Sequence, residues 1–188
     1  MLPYTAAEGT LVRGLLVARD SGGEEVLYLV TTKGLWVHDR DNARFVESGL
    51  IVPDMGKVGT HNATAAVRWR DDIYFASRSG IYKYSVGNGT AVITPVGPDR
   101  DHGLPSGKGY IVHQLLASLN DLIVFCHGAT TDKFLILAWN GRGWRVMYEH
   151  QTTGSLLQIE NGLVSGAYTD YRLWWINNVT PAINYLKL

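Results

Sequence analysis

The sequence predicts an all-β fold assembled from repeated antiparallel units, and three observations carry that reading. The dominant hydrophobic period is two: short runs rich in Val, Ile, Leu, Tyr and Trp alternate with Gly, Asn, Asp and Ser clusters, and no helical stripe is present. Glycine makes up 21 of the 188 residues, well above the usual share, which signals many tight turns. The same order of strand, polar turn and hairpin then returns at a regular interval.

The hairpins come first. Phe134 to Trp139 and Trp144 to Tyr148 flank Asn140-Gly141-Arg142-Gly143, where the Asn-Gly pair is expected to form the turn because both residues tolerate positive φ. Ile81 to Ser85 and Ala91 to Val96 flank Gly87-Asn88-Gly89 in the same way, and Leu35 to His38 and Arg44 to Val46 flank Asp39-Arg40-Asp41-Asn42.

Before each hairpin stands an apolar strand with a polar residue or glycine at its start. Glu25 to Val30 corresponds to Asp72 to Ala76, Asp121 to Phe125 and Gly162 to Ser165, with spacings of 46, 49 and 41 residues between Tyr28, Tyr74, Ile123 and Val164. Thr31-Thr32-Lys33-Gly34-Leu35-Trp36 lies over Ser77-Arg78-Ser79-Gly80-Ile81-Tyr82 without a gap. One further strand precedes each copy, at Leu11 to Ala18, Ala65 to Trp69, Ile111 to Ser118 and Ser155 to Ile159. The last copy continues through Tyr171 to Ile176 and Ile183 to Leu186.

Four-stranded antiparallel units at this period are the blades of β-propellers. The expected fold is a single β-propeller domain over 1–188 with four blades, near 11–48, 61–98, 111–150 and 154–188, either a complete small ring or a segment of a larger one. A β-sandwich is the alternative, since short strands at such spacing suit both. An arc that does not close leaves apolar sheet faces against water, so the expected partners are further blades, another protein, or a second copy of the chain. The apolar ending Asn184-Tyr185-Leu186-Lys187-Leu188 points the same way.

Composition excludes several classes. Seventeen Lys and Arg balance seventeen Asp and Glu, so no net field draws the chain to nucleic acid or anionic lipid. The N-terminal Met1-Leu2-Pro3-Tyr4-Thr5 has neither the basic nor the apolar region of a signal peptide, and no apolar run approaches the roughly 20 residues of a membrane helix. The expectation is a soluble protein without membrane insertion. Cys126 is the single cysteine, which rules out an intrachain disulfide, and its apolar neighbours Leu122 to Phe125 mark it as a core residue.

No catalytic pattern stands out, and no cofactor is expected. The six histidines His38, His61, His102, His113, His127 and His150 lack the short paired spacing of metal ligands. Gly103-Leu104-Pro105-Ser106-Gly107-Lys108-Gly109 falls short of a phosphate loop, having no Ser or Thr after Lys108. Asp99 and Asp101 imitate the first half of a calcium loop without its second half, and the same residues serve as a Pro98-started connection between blades. Asn62, Asn88 and Asn178 open glycosylation sequons that carry no weight without a signal peptide.

The aromatics supply the remaining surface signal. Trp36, Tyr82, Trp139 and Trp174 fall in the third strand of successive units, with Trp144 and Trp175 beside them. Flat aromatics of this kind stack on sugar rings or anchor protein interfaces, and the competing use is packing between neighbouring sheets. These six residues are the candidate ligand-binding set.

Gly34-Leu35-Trp36, Gly80-Ile81-Tyr82, the connector Gly97-Pro98-Asp99-Arg100-Asp101-His102-Gly103-Leu104-Pro105 and Trp139-Asn140-Gly141-Arg142-Gly143-Trp144 together resemble the propeller modules of tailed-bacteriophage and metagenomic virion proteins, from about residue 11 onward. The markers of kelch, WD40 and sialidase propellers are absent. The resemblance implies a virion tail or adhesion component that binds a glycan or protein receptor on a cell surface, and it carries over no catalytic residue. The expected function is therefore a non-catalytic binding or scaffold module. The alternative is a propeller glycosidase or lyase, which needs two converging carboxylates. The strands Ala65 to Trp69, Ile111 to Ser118 and Ser155 to Ile159 contain none, leaving only Asp54, Asp99, Asp101 and Glu160 in the connections to serve.

Overall fold

The computed structural model of the chain describes residues 11–20, 22–47, 65–77, 80–87, 90–97, 110–118, 120–128, 133–151, 172–177 and 182–187. Every regular element among them is a β-strand. The first sheet holds β1 (Val12–Arg19), β2 (Glu25–Thr31), β3 (Leu35–Asp39) and β4 (Arg44–Glu47). The second holds β5 (Ala66–Trp69), β6 (Asp72–Ser77), β7 (Gly80–Gly87) and β8 (Thr90–Gly97). The third holds β9 (Tyr110–Ala117), β10 (Leu122–Gly128), β11 (Lys133–Trp139) and β12 (Trp144–Gln151), and β13 (Arg172–Asn177) pairs with β14 (Ala182–Lys187) in a two-stranded ribbon.

All pairings are antiparallel and each sheet follows chain order, so the three expected hairpins are present as β3–β4, β7–β8 and β11–β12. The strands expected at Ser155 to Ile159 and Gly162 to Ser165 lie outside the described residues, as do Asn88, Gly89, Asp54, Asp99, Asp101 and Glu160.

Local side chains fix the turns. Asn140 does not use a positive φ; its Oδ1 accepts the backbone N–H groups of Arg142 and Gly143 at 2.9 Å each, and Gly141 alone takes the left-handed conformation, at φ 97°. In the β3–β4 turn Asp39 Oδ1 accepts from the Asp41 and Asn42 amides, while the Asn42 side chain donates to Asp39 Oδ2 and holds that carboxyl below its ordinary range. Between β2 and β3 the Thr31 hydroxyl donates to the Gly34 carbonyl at 2.9 Å and accepts from the Lys33 and Gly34 amides.

The pleat sends alternate residues to opposite sides of each sheet, and both sides are apolar, which suits sheets stacked on neighbours. Ala18, Val26, Tyr28, Val30 and Leu35 of the first sheet pack against Ile73, Phe75, Tyr82, Tyr84 and Ile93 of the second. The other side of the second sheet, with Trp69, Tyr74, Ala76, Ile81 and Val96, packs against Val112, Leu115, Leu122, Val124, Leu135, Leu137 and Trp139 of the third. A further cluster, Ile123, Phe125, Ile136 and Ala138, is buried on the third sheet's far side.

The repeat keeps a constant sense. Tyr28, Tyr74 and Ile123 occupy equivalent positions, and Tyr28 and Tyr74 each face the following sheet; Ile73 and Phe75, like Leu122 and Val124, face the preceding one. The sheets meet through their opening strands, β1 against β5 and β6, and β5 and β6 against β9.

Candidate functional site

An aromatic assembly lies at the seam between the second and third sheets, at the end that carries the β5–β6 and β11–β12 turns. Trp69 closes β5 and lies edge-on to Tyr74 with ring centroids 5.5 Å apart, and Trp139 and Trp144 pair across the β11–β12 hairpin at 5.2 Å. Two indoles bridge the sheets in opposite directions. Trp69 Nε1 donates to the Ser118 carbonyl at 2.8 Å, and Trp144 Nε1 donates to the Val96 carbonyl at 2.6 Å.

Arginines rim this seam. Arg70, held at φ 58° in the two-residue β5–β6 turn, lays its guanidinium over the Trp69 ring at 4.3 Å from the centroid. The β11–β12 turn sits against the same pair, since a Cβ at Gly141 would lie 3.3 Å from Arg70 Nη1 and 3.9 Å from Trp69 Cη2. Arg142 is exposed on that turn; on the opposite side of the third sheet, shared with Ile123 and Ala138, Arg145 reaches Asp121 Oδ2 at 2.8 Å. Burial pushes the Tyr74 phenol from 10.0 to about 12, with Asp72 adding to the rise; Trp139 and Arg70 pull it partly back. The Trp139 Nε1 is buried and close to that hydroxyl but does not reach hydrogen-bond geometry with any group.

The six candidate aromatics occupy different settings. Tyr82 is buried and stacks on Phe75 at 5.8 Å, and Trp139 is buried in the seam. Trp144 and Trp36 are partly exposed. Trp174 and Trp175 lie on β13, and their side chains lie outside the described residues. Trp139 and Trp144 are the only members of the set that the described residues bring together.

Trp69 and Arg70 belong to the seam without having been singled out in the sequence, while Asp121 and Arg145 pair on the other side of the third sheet. Trp69 was legible only as the end of a strand, because the group that receives its hydrogen bond is 49 positions away. Asp121, equivalent to Asp72, carried a usable signal, for both stand at the start of the second strand of their unit and both meet a cation: Lys83 at 3.7 Å from Asp72 and Arg145 at 2.8 Å from Asp121.

Elsewhere, Tyr28 and Tyr84 meet edge-on at 5.6 Å between the first and second sheets, and the Tyr28 hydroxyl donates to the Arg19 carbonyl at 3.5 Å. Cys126 is fully buried, and burial pushes its thiol far above the ordinary range. Among the described residues no group of three or more His, Cys, Asp or Glu could hold a metal ion, and no helix is long and apolar enough to cross a membrane. Comparison with family models, with curated proteins and with solved structures finds no match to the chain.

Proposed function

We propose that the chain is a non-catalytic binding or scaffold module of the β-propeller type. The observation that carries this reading is the stack itself: chain-ordered four-stranded sheets meet through their opening strands, and the second is buried on both sides. A two-layer sandwich has no sheet of that kind. Each sheet after the first spends one side on its predecessor, so the surface left for a partner consists of turns and sheet ends.

The turn end of the seam has the composition of a recognition surface. Arg70 stands exposed over the Trp69 ring, Arg142 is exposed on the β11–β12 turn that meets it, and Trp144 is partly exposed two residues after Arg142; Trp and Arg are the residue types that dominate binding energy at interfaces. A carboxylated glycan or an acidic segment of a receptor suits two guanidinium groups next to an aromatic ring. The resemblance to virion propeller modules supports a place in a tail or adhesion assembly.

The test has two arms on one preparation. Glycan-array binding and a panel of chromogenic glycosides are measured for the full chain and for the Arg70→Ala/Arg142→Ala variant. Retention of an acidic glycan without turnover, weakened at least tenfold in the variant, supports the reading. Turnover of any glycoside overturns the non-catalytic assignment, and unchanged binding in the variant removes the seam from it.

A further inference from the structure

The exits of the first two opening strands carry a matched pair of arginines. With Tyr28 and Tyr74 equivalent in the repeat, Ala18 opposite Val26 occupies the place of Trp69 opposite Asp72, so Arg19 and Arg70, the residues that follow, are equivalent too. Both are exposed, and among the described residues neither guanidinium forms an ion pair or a hydrogen bond. The same is true of Arg142 on the β11–β12 turn of the third sheet. Arg40, Arg44, Arg68 and Arg145, by contrast, each reach a carboxylate.

Side-chain contacts run continuously between the three. Arg19 pairs across the strands with Glu25, whose Oε1 lies 3.4 Å from Arg68 Nη1. Arg68 Nε donates to the Arg70 carbonyl at 3.2 Å, and a Cβ at Gly141, next to Arg142, would lie 3.3 Å from Arg70 Nη1. The unpaired arginines therefore form a row along one end of the three four-stranded sheets. Glu25 and Asp71 are equivalent as well, and both turn to Arg68, at 3.4 and 3.9 Å. Four guanidinium groups against two carboxylates leave the row positive on a chain with no net charge.

The middle member is already ordered. Arg70 is held over the Trp69 ring at 4.3 Å and flanked by the Gly141 turn, so engaging an anion costs it little further side-chain freedom. A guanidinium stacked in this way keeps its N–H donors in the ring plane, where a carboxylate can take two of them.

We propose that Arg19, Arg70 and Arg142 bind one extended acidic glycan whose charged sugars alternate with neutral ones, an inference that rests on the recognition surface above and carries it onto the first sheet. The exposed carboxylates of Glu25 and Asp71 stand between the unpaired arginines. A nucleic-acid backbone packs its phosphates too densely to avoid them. An acidic peptide meets the arginines but brings few hydroxyl donors. A neutral sugar placed between two charged ones presents hydroxyl groups that donate to Glu25 and Asp71, so both signs in the row find partners.

Calorimetric titration of the full chain with hyaluronan oligosaccharides, from the disaccharide to the dodecasaccharide, tests the row, with poly-glutamate as the peptide probe. The expected result is an affinity that rises at least tenfold with length, because each added contact is made within one bound chain. Arg19→Gln is expected to remove most of that gain, to leave the disaccharide's affinity and the melting temperature unchanged, and to be partly rescued by Arg19→Lys. Equal affinity at all lengths, or a full gain retained in Arg19→Gln, overturns the row and leaves recognition at Arg70 and Arg142 standing. Tighter binding of poly-glutamate than of the longest oligosaccharide overturns the glycan in favour of an acidic peptide. Failure of both probes also overturns the inference, while the glycan array decides the recognition reading independently.

Discussion

Trp69 and Ser118 stand 49 positions apart, yet the indole N–H of one donates to the carbonyl of the other at 2.8 Å, tying the last residue of β5 to the exit of β9. Trp144 returns the tie in the opposite chain direction, donating to Val96. The second and third sheets are thus joined by directional bonds as well as by apolar contact. Apolar contact tolerates a small slide of one sheet over another, whereas a hydrogen bond of this length fixes their relative position.

Removing the donor while keeping an aromatic ring isolates that contribution. Trp69→Phe is expected to cost about 1–3 kcal/mol, because the bond is lost and the Ser118 carbonyl is left without its partner. Trp144→Phe costs less, since water reaches its partly exposed site. Urea denaturation checks both, with a lower midpoint at an unchanged slope expected for each.

The tyrosines set an alkaline limit. Tyr74 is raised from 10.0 to about 12 by burial, and Tyr28 and Tyr84 are also raised by burial. Between these values the unfolded chain has released its phenolic protons and the folded chain still holds them, so stability is full below pH 10 and falls from there towards pH 12. Melting temperature measured across that window is expected to drop, and Tyr74→Phe is expected to flatten part of the drop. A constant melting temperature up to pH 12 contradicts the burial of Tyr74.

Gly141 and Gly143 share a turn and make opposite demands. Gly141 sits at φ 97°, and a Cβ there meets Arg70 Nη1 at 3.3 Å, whereas nothing lies within 4 Å of a Cβ at Gly143. Gly141→Ala is expected to destabilise the fold by about 1–2 kcal/mol, from backbone strain and displacement of Arg70 from Trp69. Gly143→Ala is expected to be close to neutral. Thermal unfolding of the two variants side by side decides the matter.

Asp121 and Arg145 form an unequal pair: the carboxylate is largely buried and the guanidinium largely exposed. Asp121→Ala is expected to cost about 1–3 kcal/mol, since it removes a charged group from a partly enclosed site at the start of β10. Arg145→Ala is expected to cost under about 1 kcal/mol, because the guanidinium it removes is itself exposed and water takes its place at the carboxylate. A double-mutant cycle measures the coupling between them.

Cys126 offers a reporter of opening. With its sulfur fully buried and its thiol held protonated, reaction with an aromatic disulfide reagent at neutral pH is expected to run at least a hundredfold slower in the folded chain than in urea. Comparable rates in the two conditions contradict its place in the third sheet.

Much of the fold was legible in the sequence because the signals that specify it are local. The alternation in Asp72 to Ala76 and Ile81 to Ser85 marks β6 and β7 nearly to the residue, and the polar turn after Leu35 to His38 marks the β3–β4 hairpin. The register irregularities at Val12/Gly14, Ile81/Tyr82, Phe125/Cys126 and Ile136/Leu137 were not legible, because a bulge arises where a strand bends to fit a neighbouring sheet. The Asn140 turn was read correctly in place and wrongly in mechanism: the side chain acts as an acceptor, and the backbone strain falls on Gly141 alone. Arg70 was invisible for a different reason. Its value depends on Trp69 beside it and on a turn from another sheet, a juxtaposition that no local pattern encodes.

The constant sense of the repeat, with the first sheet turned to the second and the second to both of its neighbours through matching alternations, bears on how such a chain can change over generations. Duplication or loss of a whole unit of 46 or 49 residues preserves the match at every boundary, because any backward side fits any forward side. Insertion of a single residue within a strand exchanges the two sides for everything beyond it and ruins both contacts at once. Natural variants of this architecture are accordingly expected to differ in length by entire units or within turns, and to hold the strands between them at fixed length.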